Sequence, residues 1–122
     1  TFALENTTPQ NDQAKLVISA AFAAWAECST LSFRLVDITQ SPDIEVKFAS
    51  WRHDPPKDCS FDGPGGVKAH AFYPPLGKAH FDEDEDWSND CELYSVALHE
   101  IGHLLGLGHS FHKTSIMFAY FN

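Results

Sequence analysis

Three histidines and a glutamate crowd one stretch near the C-terminal end of the chain, His99-Glu100-Ile101-Gly102-His103-Leu104-Leu105-Gly106-Leu107-Gly108-His109. His99 and His103 are four residues apart, so on an α-helix they leave one face about 6 Å apart along the axis. At that spacing two imidazole nitrogens can meet one ion at the distance of about 2.0–2.1 Å that zinc prefers. Glu100, turned about 100° from His99 around the helix, would reach a water beside the ion without ligating the ion itself. Gly106 can close the helix in the left-handed conformation, and the reversed chain then returns His109 as a third ligand. Three protein ligands leave a fourth coordination position open, the arrangement of a catalytic rather than a structural zinc.

A bare H-E-x-x-H arises by chance in unrelated helices. Gly106 and His109 at fixed offsets, with Met117 eight residues further on in Ser115-Ile116-Met117, complete the longer metzincin pattern with its Met-turn. The Met117 thioether is expected to pack beneath the metal site.

With 122 residues, the chain suffices for one domain that buries about two thirds of its unfolded surface. Apolar residues make up 43 % of it, a globular rather than disordered composition. No apolar run approaches the 18–20 residues or so that a bilayer span needs, and no signal-like start is present. A formal charge of −9 argues against a nucleic-acid partner, which rewards basic faces. Much of that charge sits in Asp82-Glu83-Asp84-Glu85-Asp86, an acidic run suited to holding cations. Cys28, Cys59 and Cys91 lack zinc-finger spacing. One disulfide, Cys28 with Cys59 or with Cys91, and one odd thiol are expected for a secreted protein.

Phe2 and Leu4 alternate as a short N-terminal strand, and Thr7 to Asp12 has turn and cap chemistry. From Gln13 to about Glu27, Leu16, Val17, Ala20, Ala21, Ala24 and Trp25 follow a helical period. Strands are expected at Leu31–Ile38, at Ile44–Phe48, over Val67–Tyr73 and at Lys78–Phe81, with a long loop from Trp51 to Gly66. A second helix, capped by Asn89 with Glu92 three later, should run from about Asp90 to Leu105. Its core face is Leu93, Val96, Ala97, Ile101 and Leu104. Strand, helix, several strands and helix make an α+β or three-layer α/β domain.

Three further strings carry a family resemblance over nearly the whole chain. Phe61-Asp62-Gly63-Pro64-Gly65-Gly66-Val67-Lys68-Ala69-His70-Ala71, His80-Phe81-Asp82-Glu83-Asp84-Glu85-Asp86-Trp87, and Ala21-Phe22 with Trp25 resemble signatures of the matrixin (matrix metalloproteinase) catalytic domain. The resemblance implies a metzincin fold: a twisted, mostly parallel five-stranded sheet with one antiparallel edge strand along the cleft, and two long helices. It also implies a structural zinc held by His70 and His80, and a calcium surrounded by Asp62, Gly63, Gly65, Val67, Asp82 and Glu85. Hard oxygen donors suit Ca²⁺ and imidazoles suit zinc. Ala69, Ala71 and Ser95 correspond to substrate-binding positions, and a small Ser95 leaves room for a large apolar substrate side chain.

The chain departs from the family in places. Where the other two structural-zinc ligands belong stand Pro55 and Lys57; His53, with Asp54 or Asp58, is the expected substitute. Lys78 replaces a usual Asp, which argues against a second calcium in the short loop before His80. The chain stops at Asn122, before the family's specificity loop and third helix. Residues 1–122 are therefore expected to be one C-terminally short catalytic domain, with no propeptide ahead of Thr1.

The expected activity is zinc-dependent hydrolysis of peptide bonds in extracellular or matrix proteins, with Glu100 as general base and an extended substrate paired along Val67–Ala71. The expected setting is extracellular, secreted or at the cell surface, with protein inhibitors as further partners. A catalytically silent, metalloprotease-like binding module is the alternative, against which Glu100 stands.

Overall fold

The computed structural model describes residues 1–4, 13–49, 69–83 and 85–118. In chain order they form β1 (Phe2–Leu4), α1 (Ala14–Glu27), a 3-10 turn (Ile38–Gln40), β2 (Ile44–Ala49), β3 (Ala69–Ala71), β4 (Lys78–Asp82) and α2 (Asp90–Leu104). The sheet order is β1-β2-β4-β3. β1 with β2 and β2 with β4 are parallel, while β3 lies antiparallel to β4 at the edge. Two helices and a mixed sheet make an α+β fold of the expected kind, with four strands rather than five among the described residues.

The fifth expected strand, Leu31–Ile38, is reduced to one bridge between Leu35 and Phe2, where Phe2 N donates to Arg34 O and Val36 N to Phe2 O. The cause is local. Asp37 accepts from Thr39 N at 3.0 Å while Gln40 accepts from Asp37 N at 2.9 Å, a capping box that turns Ile38 out of the extended line. The polar contacts of Asp37 thus outweigh the β propensity of the apolar residues before it.

β2 shows why its sequence is a strand: Ile44, Val46 and Phe48 are buried while Glu45 and Lys47 are half-buried, the period of two that one covered face imposes. Phe48 meets Phe81 of β4 edge to face at 5.3 Å and Trp87 at 6.1 Å. Trp87 is fully buried and its indole donates to Asp82 O at 2.7 Å, closing the end of the sheet over an apolar core with its one polar atom satisfied.

Helix α1 faces the core with Ala14, Ile18, Ala21 and Phe22, a stripe rotated from the expected one. Leu16 is 66 % exposed. Phe22 fixes the rotation, stacking on Phe2 at 4.0 Å and packing on Phe33 at 5.1 Å. One large aromatic outweighs several alanines in buried area. Val17 and Trp25 flank the core, as expected. In α2 all five expected core residues are buried. Cys28 and Cys91 are free, exposed thiols at the end of α1 and the start of α2, so the expected bridge between those two is not made; Cys59 lies outside the described residues.

Asn89 starts α2 by accepting from Cys91 N at 2.9 Å and Glu92 N at 3.2 Å, with Asp90 and Glu92 in the first turn favoured by the helix dipole. Asn89→Ala should lower unfolding free energy by about 1 kcal/mol in urea titrations, and Asn89→Asp should restore most of the loss. An unchanged midpoint for the alanine variant would contradict this capping role.

Candidate metal centre

Helix α2 buries both of its motif histidines, leaving His99 3 % and His103 9 % exposed. Their Nε2 atoms stand 3.1 Å apart. Two nitrogens bound tetrahedrally to one zinc at about 2.05 Å lie about 3.3 Å apart, so the pair already has nearly the chelating separation. The other nitrogens are tied to the backbone: His99 Nδ1 to Ile116 O and His103 Nδ1 to Leu107 O, both at 2.8 Å. A carbonyl only accepts, so each Nδ1 carries the hydrogen and each Nε2 is left with its lone pair. Two lone pairs facing at 3.1 Å repel unless a cation stands between them. Carbonyl partners of this kind orient metal-binding imidazoles.

The third histidine arrives through the helix end. Gly106 adopts φ 101°, a conformation open chiefly to glycine. Leu107 N donates to Gly102 O and Gly106 N to His103 O, both at 2.9 Å, the paired bonds of a Schellman close. The same turn delivers the Leu107 carbonyl to His103. Beyond it, the exposed His109 ring lies 5.2 Å from His99 and 4.9 Å from His103, centroid to centroid. One ligand atom from each of the three histidines falls within 4.8 Å of the others.

Met117 is buried, and Ser110 N donates to its carbonyl at 2.7 Å. It lies so close to Gly102 that a Cβ there would strike its Sδ, with Trp25 Cζ2 only 3.2 Å away on another side. Trp25 also donates its indole hydrogen to Leu98 O at 2.9 Å, tying α1 to α2. Sequence reasoning missed Gly102, Leu107 and Ile116. Only Gly102 left a signal, a glycine inside a helix, where it costs stability without a packing reason.

Glu100 is 4 % exposed and its Oε2 has no hydrogen-bond partner among the described residues. Burial pushes its carboxyl up to about 7. His99 is pushed below the usual imidazole range, first by burial and further by His103 and His109, against the opposing pull of the Ile116 carbonyl. The result favours the neutral imidazole that metals bind. Three imidazole nitrogens with an orphaned carboxylate oxygen beside them in sequence are a donor set that fits zinc with one open position.

A second pair of histidines meets across the edge of the sheet. His70 and His80 are register partners, with His70 Nε2 3.1 Å from His80 Nδ1. Asp82 is fully buried and Glu85 is 9 % exposed just beyond, carboxylates of a kind that proteins bury with charge compensation. The other residues expected around the structural zinc and the calcium, His53, Asp58, Asp62, Gly63, Gly65 and Val67, lie outside the described residues, as does Asp54.

Strand β3 carries Ala69 and Ala71. Phe72 N donates to Lys78 O at 2.9 Å, so His70 and Phe72 turn their backbone groups to β4. In an antiparallel pair the N–H and C=O groups of Ala69 and Ala71 therefore point off the other edge. Ser95 is exposed one turn before His99 on α2, and His112 is an exposed histidine outside the cluster.

The contact of Gly102 with Met117 makes a sharp prediction. Gly102→Ala, which in an open helix would stabilise, should here cost about 1–3 kcal/mol by overpacking. Gly108, with nothing within 4 Å of where its Cβ would stand, should accept alanine within about 0.5 kcal/mol. Equal urea midpoints for the two variants would refute the close contact.

The matrixin family model matches residues 1–122. The chain is 46 % identical over 98 % of its length to the hatching enzyme of Paracentrotus lividus, of which that match covers 20 %. It is 42 % identical over 97 % of its length to metalloendoproteinase 2-MMP of Arabidopsis thaliana, covering 34 % of that protein. To interstitial collagenase of Sus scrofa it is 43 % identical over 97 % of its length, covering 26 % of the collagenase. The chain thus spans well under half the length of these relatives. A match along the whole chain, joined to three histidines gathered at a Schellman close, leaves one conclusion: the chain belongs to the matrixin family.

Proposed function

We propose that residues 1–122 form the catalytic part of a zinc-dependent endopeptidase acting on extended protein segments. The observation that carries this reading is the pair of Nε2 atoms 3.1 Å apart with both Nδ1 atoms engaged by carbonyls, beside the orphaned Glu100 Oε2. His99, His103 and His109 would hold the metal. When bound, zinc supplies Lewis acidity that activates water and polarises a scissile carbonyl.

The remaining work belongs to the chain. The open edge of β3 at Ala69 and Ala71 pairs with substrate backbone, giving affinity without demanding a sequence. Ser95 borders the substrate. Glu100, held in a dry setting that raises its proton affinity to about 7, accepts a proton from the attacking water and passes it to the leaving nitrogen as the C–N bond breaks. The names of the relatives, a hatching enzyme and an interstitial collagenase among them, favour extracellular substrates. We extend the reading to a structural zinc at His70 and His80, with the His53 loop completing it, and to a calcium near Asp82 and Glu85. Protein inhibitors would occupy the same β3 edge.

Glu100→Gln should keep one zinc at the three histidines yet lower kcat on a quenched peptide by about 10²–10⁴-fold, the range that general-base catalysis commands. Wild-type turnover by that variant would remove Glu100 from the mechanism. A chelator should abolish cleavage and zinc should restore it. Peptide hydrolysis that survives exhaustive metal removal would overturn the metalloenzyme reading and leave a different catalyst to be found.

A further inference from the structure

Strand β3 does not end at its last ladder residue in chemical terms. Its side chains alternate in facing: the His70 and Phe72 rings meet on one face at 5.4 Å, with Phe72 5.9 Å from His80, while Ala69 and Ala71 pack into the core on the other. Tyr73 continues the Ala69–Ala71 side. Its ring stands edge-on to His103 at 5.6 Å and 84°, yet it is 54 % exposed. The residue after it lies near the close of α2, with Pro74 Cδ 4.0 Å from where a Gly106 Cβ would stand. An aromatic ring thus stands edge-on to a candidate metal ligand with over half its surface exposed.

We infer that Tyr73 is a specificity-determining residue, an aromatic wall for an apolar substrate side chain one or two residues on the amino side of the cleaved bond. The inference rests on the endopeptidase reading above. Direction follows from the strand. β3 runs from Ala69 towards Tyr73, and a substrate added antiparallel to it, the pairing that is more stable per residue, passes Tyr73 with its amino-side residues. The cleaved bond lies beside His103, so those residues come within reach of the ring. A tyrosine offers a large rigid surface with little entropy to lose, and pairs well with aliphatic or aromatic partners.

The test uses zinc-loaded wild type, Tyr73→Phe and Tyr73→Ala with a peptide set in which the two residues before the cleaved bond are in turn Leu, Phe or Gly. Tyr73→Ala should lose roughly five- to tenfold in kcat/KM on the Leu and Phe peptides and less than twofold on the Gly peptides. Tyr73→Phe should stay within about twofold of wild type throughout. In a Glu100→Gln background, where turnover is slow enough to read binding, Tyr73→Ala should weaken the Leu peptide's Kd by a similar factor, with the melting temperature unchanged. An even loss across the set, or an equal loss in Tyr73→Phe, overturns the inference. Wild type that binds zinc but cleaves none of the peptides defeats the endopeptidase reading itself, and this inference with it.

Discussion

Two nitrogen lone pairs aimed at one another at 3.1 Å are an arrangement a folded protein does not hold without reason. The arrangement persists because each imidazole is fixed from behind by a carbonyl and from the side by burial. The fold supplies one carbonyl from the close of α2 and the other from the turn before Met117. Leu107 is in the Schellman close of α2, and Ile116 precedes the buried methionine. Rotating either ring would cost a partly buried hydrogen bond of about 1 kcal/mol net and more for the group left unmatched. The cluster is therefore organised in advance of any metal, and a metal bound there would relieve the repulsion the organisation creates.

The rest of the molecule is arranged around keeping α2 and the Met117 turn in register. Trp25 ties α1 to the middle of α2 through the Leu98 carbonyl, and Gly102 lets the Met117 side chain approach the helix backbone. The sheet serves a different purpose. Its parallel strands bury Val46, Phe48 and Phe81 and anchor β4, which presents antiparallel β3 at the edge. That edge lies alongside the histidines through Tyr73 and His103. Edge strand and histidine cluster thus meet at one loop and one helix end.

Residues governed by local rules were readable in advance. The Asn89 cap, the five core positions of α2, the Gly106 reversal and the alternation of β2 follow from capping, periodicity and the left-handed preference of glycine. What failed depended on contacts, some distant and some local, that residue types alone do not show. The α1 stripe was misplaced because alanine and leucine positions alone do not reveal that Phe22 must reach Phe2 and Phe33. Leu31–Ile38 carries strand residues, but the Asp37 capping box interrupts it. The carbonyls of Leu107 and Ile116 have no side-chain signature, so no reading of residue types could have found them. Gly102 was visible as an anomaly, though its explanation required Met117 to be placed in space.

The most direct test is the protonation pattern of the histidine nitrogens, read from long-range proton–nitrogen correlation spectra of nitrogen-15-labelled protein before and after adding zinc. In the loaded protein, Nδ1 of both His99 and His103 should carry hydrogen, and the Nε2 signals of both should move to the shifts of metal-bound nitrogen. Hydrogen found on Nε2 of either residue after zinc is added, or Nε2 signals that do not move, would contradict the account.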